Sequence, residues 1–323
     1  MDFARPLIRL PIRFDEAALS REVAALPPSA WTPHPQGFAG NDAVPLVTVG
    51  GGLNDAFDGP MDATSHLLGS PYILALMHEL GGTWGRSRLM GLAPGARVPR
   101  HVDIHYYWRT HIRIHIPIVT NPQVTFTCGS ETVHMAPGEA WIFDSFQLHE
   151  VTNAGADKRV HLVLDTVGGD RLWEFIQAAN AGAALPDQPW LPTPGQPTDL
   201  AFERVNQPRI MTPWEIRCHV DFLTDHIVPG PQLAPVLARV DRFMAAWQAT
   251  WSRFGDSDEG RSTYRPLIAA IRPELAALGC DQLLLVNEAP LNQALDAFVF
   301  SRALSAPGSP SAASAPTAEP LVS

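Results

Sequence analysis

The chain is poor in several features, and each shortage removes a class of protein. Cysteine occurs only at Cys128, Cys218 and Cys280. An odd number at wide spacing supports neither a disulfide framework nor a thiolate metal site, so a reduced, cytoplasmic protein is expected. No uncharged apolar run reaches the ~18 residues that suggest a membrane span. The start, Met1-Asp2-Phe3-Ala4-Arg5-Pro6, lacks the basic-then-apolar order of a secretory leader. Positive charge is not in excess: 23 Lys+Arg against 33 Asp+Glu give a net charge of −10. That balance argues against the basic stripe of a nucleic-acid-binding surface. Lys158 is the only lysine, whereas arginine is common. The bias points to a GC-rich source genome and carries nothing about activity.

The length, 323 residues, allows one large domain or two smaller ones. Residues 6–14 contain internal prolines and read as an extended edge segment. Asp15-Glu16 open a short helix to about Leu26, and residues 27–43 read as loop. Pro45 to Val49 reads as a strand stopped by Gly50-Gly51-Gly52. Ser70 to Leu80 has helical spacing and ends at Gly81-Gly82. From about 84 to 167, short runs such as Ile112-Arg113-Ile114-His115-Ile116 and Val160-His161-Leu162-Val163-Leu164 alternate with Pro/Gly/Asn turns. Many short strands at close spacing predict a sandwich or barrel. A helix is expected over 170–181, loop over 182–211, and helices near 213–226, 232–254, 263–279 and 288–303. Residues 304–323 are Ser/Ala/Pro-rich and read as a disordered tail. The expected fold class is α+β, with a β-rich domain within 1–183 and a helical region at 184–303. The apolar stripes of that region must be covered, either by the β unit or by a second copy in a homodimer.

The chemistry gathers in the β-rich stretch. His101-Val102-Asp103 places an imidazole and a carboxylate at i and i+2, which share a face on a strand. His149 can join them from a later strand. Two neutral imidazoles and one carboxylate with open positions opposite form the ligand set of non-haem Fe(II) oxygenases. Arg159, ten residues after His149, is placed to anchor a dicarboxylate cosubstrate. Taken singly, each residue has a plainer reading: a loop histidine, a turn aspartate, a core histidine. Arg113 and His115 lie opposite Ile112, Ile114 and Ile116, so they face either solvent or the site cavity. Tyr106, Tyr107, Trp108 and Trp141 suit a pocket wall or the core. Residues 49–55 lack the Lys-Ser/Thr of a phosphate-binding loop and read as a flexible loop, a candidate lid.

Several separated motifs occur in order: Pro94-Gly95, His101-Val102-Asp103, Arg113-Ile114-His115, Pro137-Gly138-Glu139-Ala140-Trp141-Ile142-Phe143-Asp144-Ser145-Phe146, His149-Glu150-Val151 and Arg159-Val160-His161-Leu162. Over roughly 85–173 the chain thereby resembles the aspartyl/asparaginyl β-hydroxylase family, which also takes in bacterial free-proline cis-4-hydroxylases. The resemblance implies a double-stranded β-helix and an Fe(II)- and 2-oxoglutarate-dependent dioxygenase. The substrate would be a small-molecule amino acid or an Asp/Asn/Pro-type residue of a peptide, and O2 would be consumed with release of succinate and CO2. It also implies that His101, Asp103 and His149 bind the metal and that Arg159 pairs with the distal carboxylate of 2-oxoglutarate. His115 would hydrogen-bond the C1 carboxylate, and Arg113 would hold a carboxylate on the substrate. The vertebrate aspartyl hydroxylases have Gly where this chain has Asp103, and serine where it has Met90. The competing readings are a cupin-like metal-binding or sensor protein without oxygenase activity, and a metal-dependent isomerase or hydrolase on the same barrel. Arg159 speaks against the first, since a sensor of another ligand has no need of a cation there.

Overall fold

A computed structural model describes residues 5–33, 37–195 and 198–304; the expected tail lies outside the described residues except for Leu304. The strands are β1 (Leu7–Arg13), β2 (Thr32–Pro33), β3 (Asn41–Val49), β4 (Met61–Ala63), β5 (Thr83–Leu92), β6 (Arg97–His101) and β7 (Ile112–Val119), then β8 (Val124–Cys128), β9 (Glu131–Val133), β10 (Glu139–Phe143), β11 (His149–Asn153), β12 (Arg159–Thr166) and β13 (Ala201–Phe202). Nine of them form a large sheet in the order β1-β10-β7-β12-β5-β3-β2, with β4 on β3 and β13 on β5. The other four form a small sheet, β6-β11-β8-β9. Leu7, Leu92 and Phe143 of the large sheet pack against Phe126, Cys128 and Val151 of the small one. Two sheets, antiparallel except for the β13–β5 pair, share one interior with the chain crossing between them, and make the double-stranded β-helix that was expected.

Local chemistry sets the element boundaries. Helix α1 (Glu16–Ala25) begins where Asp15 accepts from the Ala17 and Ala18 amides at 2.9 and 3.1 Å. After α2 (Ser65–Leu68), α3 (Pro71–Leu80) starts at a proline and stops at Gly81 with φ 66°. Ser70 gives α3 no side-chain cap. Glu22 does so from α1, accepting from the Tyr72 and Ile73 amides at 2.5 and 3.0 Å. Gly138 takes φ 76° in the turn before β10, and a Cβ there would lie 2.3 Å from the Phe14 carbonyl oxygen. Only glycine permits that approach. Helix α4 (Tyr106–Thr110) follows β6, and α5 (Asp170–Asn180) follows β12 and packs on β1.

The chain divides into two compact units, one with the residues up to Asp103 and Thr110–Asn206, the other with Ile104–Arg109 and the chain from Gln207. The change therefore falls after Asn206 rather than near 183. Residues 184–206 stay with the β unit because β13 adds parallel to β5 and the Trp190 amide donates to the Arg13 carbonyl at 2.6 Å. The second unit contains α6 (Pro213–Asp225), α7 (Leu233–Phe254), α8 (Arg261–Ala277) and α9 (Leu291–Leu295). The helix expected over 288–303 is shorter than its apolar pattern: α9 runs directly into a widened turn over Asp296–Phe300. No helix among the described residues is long and apolar enough to cross a membrane.

Candidate active site

β6 ends at His101 and β11 begins at His149, and the two histidines are direct antiparallel partners. Their rings lie 4.2 Å apart between centroids. Asp103 is not on a strand, contrary to the same-face reading of the motif. It lies two residues beyond β6, where its amide donates to the Ser145 carbonyl at 3.0 Å. That bond turns its carboxylate back toward the histidines. One ligand-type atom from each residue falls within 4.8 Å of the others. Asp103 Oδ1 is 3.8 Å from His101 Nε2, and Oδ2 is 4.0 Å from His149 Nε2.

Both histidines are oriented by the backbone. His101 Nδ1 is 2.7 Å from the Pro99 carbonyl, and His149 Nδ1 is 2.9 Å from that of Gln147. A carbonyl only accepts, so each Nδ1 carries the proton and each Nε2 offers its lone pair to the shared centre. Burial, with His101 adding to it, lowers the His149 pKa to about 4. Burial alone would raise the Asp103 pKa; Arg113 and the two imidazoles outweigh it and hold the carboxyl below its ordinary value. At neutral pH the Asp103 carboxylate and the His149 imidazole are therefore in the forms a divalent metal requires of its ligands.

The two arginines of the site differ. Arg113 is fully engaged: Nε and Nη2 donate to the two oxygens of Asp165 at 2.8 and 3.1 Å, and Nη1 donates to Asp103 Oδ2 at 3.0 Å. Arg159 is buried without a carboxylate partner among the described residues. Its Nη2 donates to His161 Nδ1 at 2.6 Å, and its Nε has no partner. Burial lowers its pKa to about 9. His161 accepts at Nδ1, so its Nε2 carries the proton, and that group also lacks a partner. His115, on β7, is buried with Nδ1 unpartnered. Its ring lies 5.8 Å from His161, 5.4 Å from Phe126 and 5.3 Å from Phe143, and Phe143 lies 4.9 Å from His149. An aromatic wall thus connects the histidine-aspartate cluster to the Arg159 end.

Asp165 was missed as a site residue, and His161, which from the sequence reads as structural or surface, instead contacts Arg159. The signal existed: Arg159, His161 and Asp165 fall on alternating positions of an otherwise apolar run, which on one strand places them on one face. Trp141 is partly buried against the apolar cluster, and its Nε1 donates to Glu139 at 2.9 Å. Tyr106 belongs to the second unit, where its hydroxyl donates to Glu215 at 2.6 Å.

Two histidines and one carboxylate thus converge inside a double-stranded β-helix. Residues 61–168 match the family model described as Aspartyl/Asparaginyl beta-hydroxylase. That segment is about a third of the chain, and its similarity to a hydroxylase family supports a dioxygenase enzyme. Solved structures similar to it include an oxidoreductase of the 2OG-Fe(II) oxygenase family from Burkholderia pseudomallei (15% identity, 51% of this chain and 87% of that chain, TM-score 0.39). A Pseudomonas putida prolyl-4-hydroxylase is another (13% identity, 50% and 93%, TM-score 0.31). A third is a double-stranded β-helix protein from Klebsiella pneumoniae (17% identity, 27% and 71%, TM-score 0.22). Comparison with curated proteins finds no match.

Proposed function

We propose that the protein hydroxylates an unactivated C–H bond of a free amino acid, or of an Asp/Asn/Pro-type residue of a peptide, in the cytoplasm. The reaction would use Fe(II), 2-oxoglutarate and O2, with release of succinate and CO2. The observation that carries this reading is a pair of features in one interior: three convergent ligand atoms and a buried arginine with no carboxylate.

The donor set fits the metal, because two neutral imidazoles and one carboxylate converge with their lone pairs already oriented. His101, Asp103 and His149 would hold it. Bound there, iron supplies the O2 activation that no side chain can provide. The rest is positioning. Arg159 offers the far carboxylate of 2-oxoglutarate a planar guanidinium in a dry site, where a charge-assisted pair is strong. His161 orients that guanidinium and presents its Nε2 proton. His115 can hydrogen-bond the near carboxylate through its unpartnered nitrogen. Arg113 neutralises and orients Asp103 and Asp165, so here it acts as a positioning residue. Phe126 and Phe143 exclude water between the two ends.

The test is succinate production by anaerobically prepared protein given Fe(II), 2-oxoglutarate and O2, run beside His149→Ala. Succinate from the wild type and none from the variant supports the reading. Protein that binds neither iron nor 2-oxoglutarate overturns it.

A further inference from the structure

The chain leaves the β unit immediately after Asp103 and returns to it at Thr110, three residues before Arg113. The residues between, Ile104–Arg109, belong to the helical unit. Asp103 and Arg113 are themselves joined at 3.0 Å. The excursion therefore begins at a candidate metal ligand and ends just short of the arginine that orients it.

Side chains of the helical unit hold this excursion. Tyr106 and Tyr107 are buried. The Tyr106 hydroxyl donates to Glu215 Oε1 at 2.6 Å. The Arg109 guanidinium carbon lies 3.7 Å from the centre of the Phe222 ring, and the Arg302 guanidinium contacts the His105 imidazole. The Glu215 bond is charge-assisted, and such bonds are roughly twice as strong as neutral ones. The Glu215 amide donates to Thr212 Oγ1, the cap of α6, at 3.1 Å. A glutamate at that position commonly reaches back to the amide of the cap residue; here its carboxylate takes the Tyr106 phenol. Burial raises the Glu215 pKa, and the Tyr106 hydrogen bond is the largest influence opposing that rise. One turn further along α6, the His219 ring lies 5.5 Å edge-on from that of Tyr106. The phenol is thus held at its hydroxyl and at its ring.

Asp103 lies beyond the end of β6, outside the strand ladder. Its amide bond to the Ser145 carbonyl places the backbone on one side. On the other side the chain runs three residues to the anchored Tyr106. A metal ligand must be held to within about 0.5 Å by the groups around it. Resting on the metal-site reading above, we propose that Tyr106, fixed by Glu215, is a positioning residue for the Asp103 carboxylate. The helical unit then supports one ligand of the three through α4. The two histidines are oriented within the β unit, by the Pro99 and Gln147 carbonyls.

The test titrates Co(II) into the metal-free full chain, after hydrogen exchange at the Asp103 amide has been followed in the same preparation. Tyr106→Phe and Glu215→Leu should weaken cobalt binding about tenfold or more, the usual cost of removing a group that orients a metal ligand. Both should also speed exchange at Asp103. Glu215→Gln, whose amide oxygen still accepts from the phenol, should keep both properties near those of the wild type. Arg239→Met controls for general destabilisation: it breaks the pair with Glu274 elsewhere in the helical unit and should change neither cobalt affinity nor Asp103 exchange. Unaltered affinity and exchange in Tyr106→Phe overturn the proposal, as does an equal loss in Arg239→Met. A wild-type chain that binds no cobalt overturns the metal-site reading instead, while the exchange comparison in metal-free protein still decides whether Tyr106 fixes Asp103.

Discussion

Arg113 and Arg159 lie in the interior of one β unit, and their surroundings differ. Arg113 holds two carboxylates through three hydrogen bonds, whereas Arg159 has only a neutral imidazole. The comparison separates scaffold from binding group. A buried charge with all its partners present is a finished piece of structure. One without a counter-charge is stable only because the surrounding fold tolerates it, and the missing partner is expected to arrive with a ligand.

The comparison can be broken first at the metal cluster, where the largest effect is expected. Asp103→Ala should abolish stoichiometric metal binding and lower activity by on the order of 10³-fold or more, as loss of a metal ligand normally does. It also removes a partner from Arg113. Metal content by elemental analysis and succinate formation measure the two effects; a variant that retains both would dissolve the cluster.

Stability measurements should then give opposite results at the two arginines. Arg113→Met leaves Asp165 and Asp103 buried without their cation and should cost about 3–5 kcal/mol in denaturant unfolding. Arg159→Met removes an uncompensated charge and should leave the ligand-free protein as stable or more stable. The same Arg159 variant should bind 2-oxoglutarate at least about 100-fold more weakly, the equivalent of roughly 3 kcal/mol. Equal destabilisation by both substitutions would end the distinction between them.

A smaller effect concerns pH. His149 titrates at about 4 in the folded protein against an ordinary 6.5. Between those values the unfolded chain takes up a proton that the folded chain refuses. The metal-free protein should therefore lose stability as pH falls from about 6.5 to 4, by up to about 3 kcal/mol at ~1.4 kcal/mol per pH unit. Thermal melts over that range should show a shallower decline for His149→Phe than for the wild type. The smallest effect is expected at a pair outside the comparison. Lys158 contacts Asp42 at 2.6 Å, with both side chains about a third exposed. Lys158→Met should cost about 1 kcal/mol or less, because solvent screens exposed pairs.

Much of this site was legible in the chain. His101, Asp103, His149 and Arg159 stood out by residue type and spacing, and the alternating runs announced the sheets that bring them together. The strand argument for His101 and Asp103 did not hold in detail, since the strand ends between them and a backbone bond to Ser145 completes the approach. Glu22 as the cap of α3 was not legible at all, because a cap supplied from another helix leaves no local pattern. The same is true of Tyr106 on Glu215, which lie on helices far apart in the chain.

By itself the sequence determined the residue types of the candidate cluster, the β-rich character of residues 84–167 and the helical character after Pro213, since residue identity and periodicity are local properties. Tertiary structure alone decided which arginine is neutralised. Arg113 meets Asp165 because the pairing of β7 with β12 sets the two residues opposite each other, and it meets Asp103 because the chain after β6 bends back. Among the described residues Arg159 meets no acid, and Leu92 stands opposite it on β5. Charge pairing across strands depends on register between distant segments, and register is set by the packing of the whole sheet.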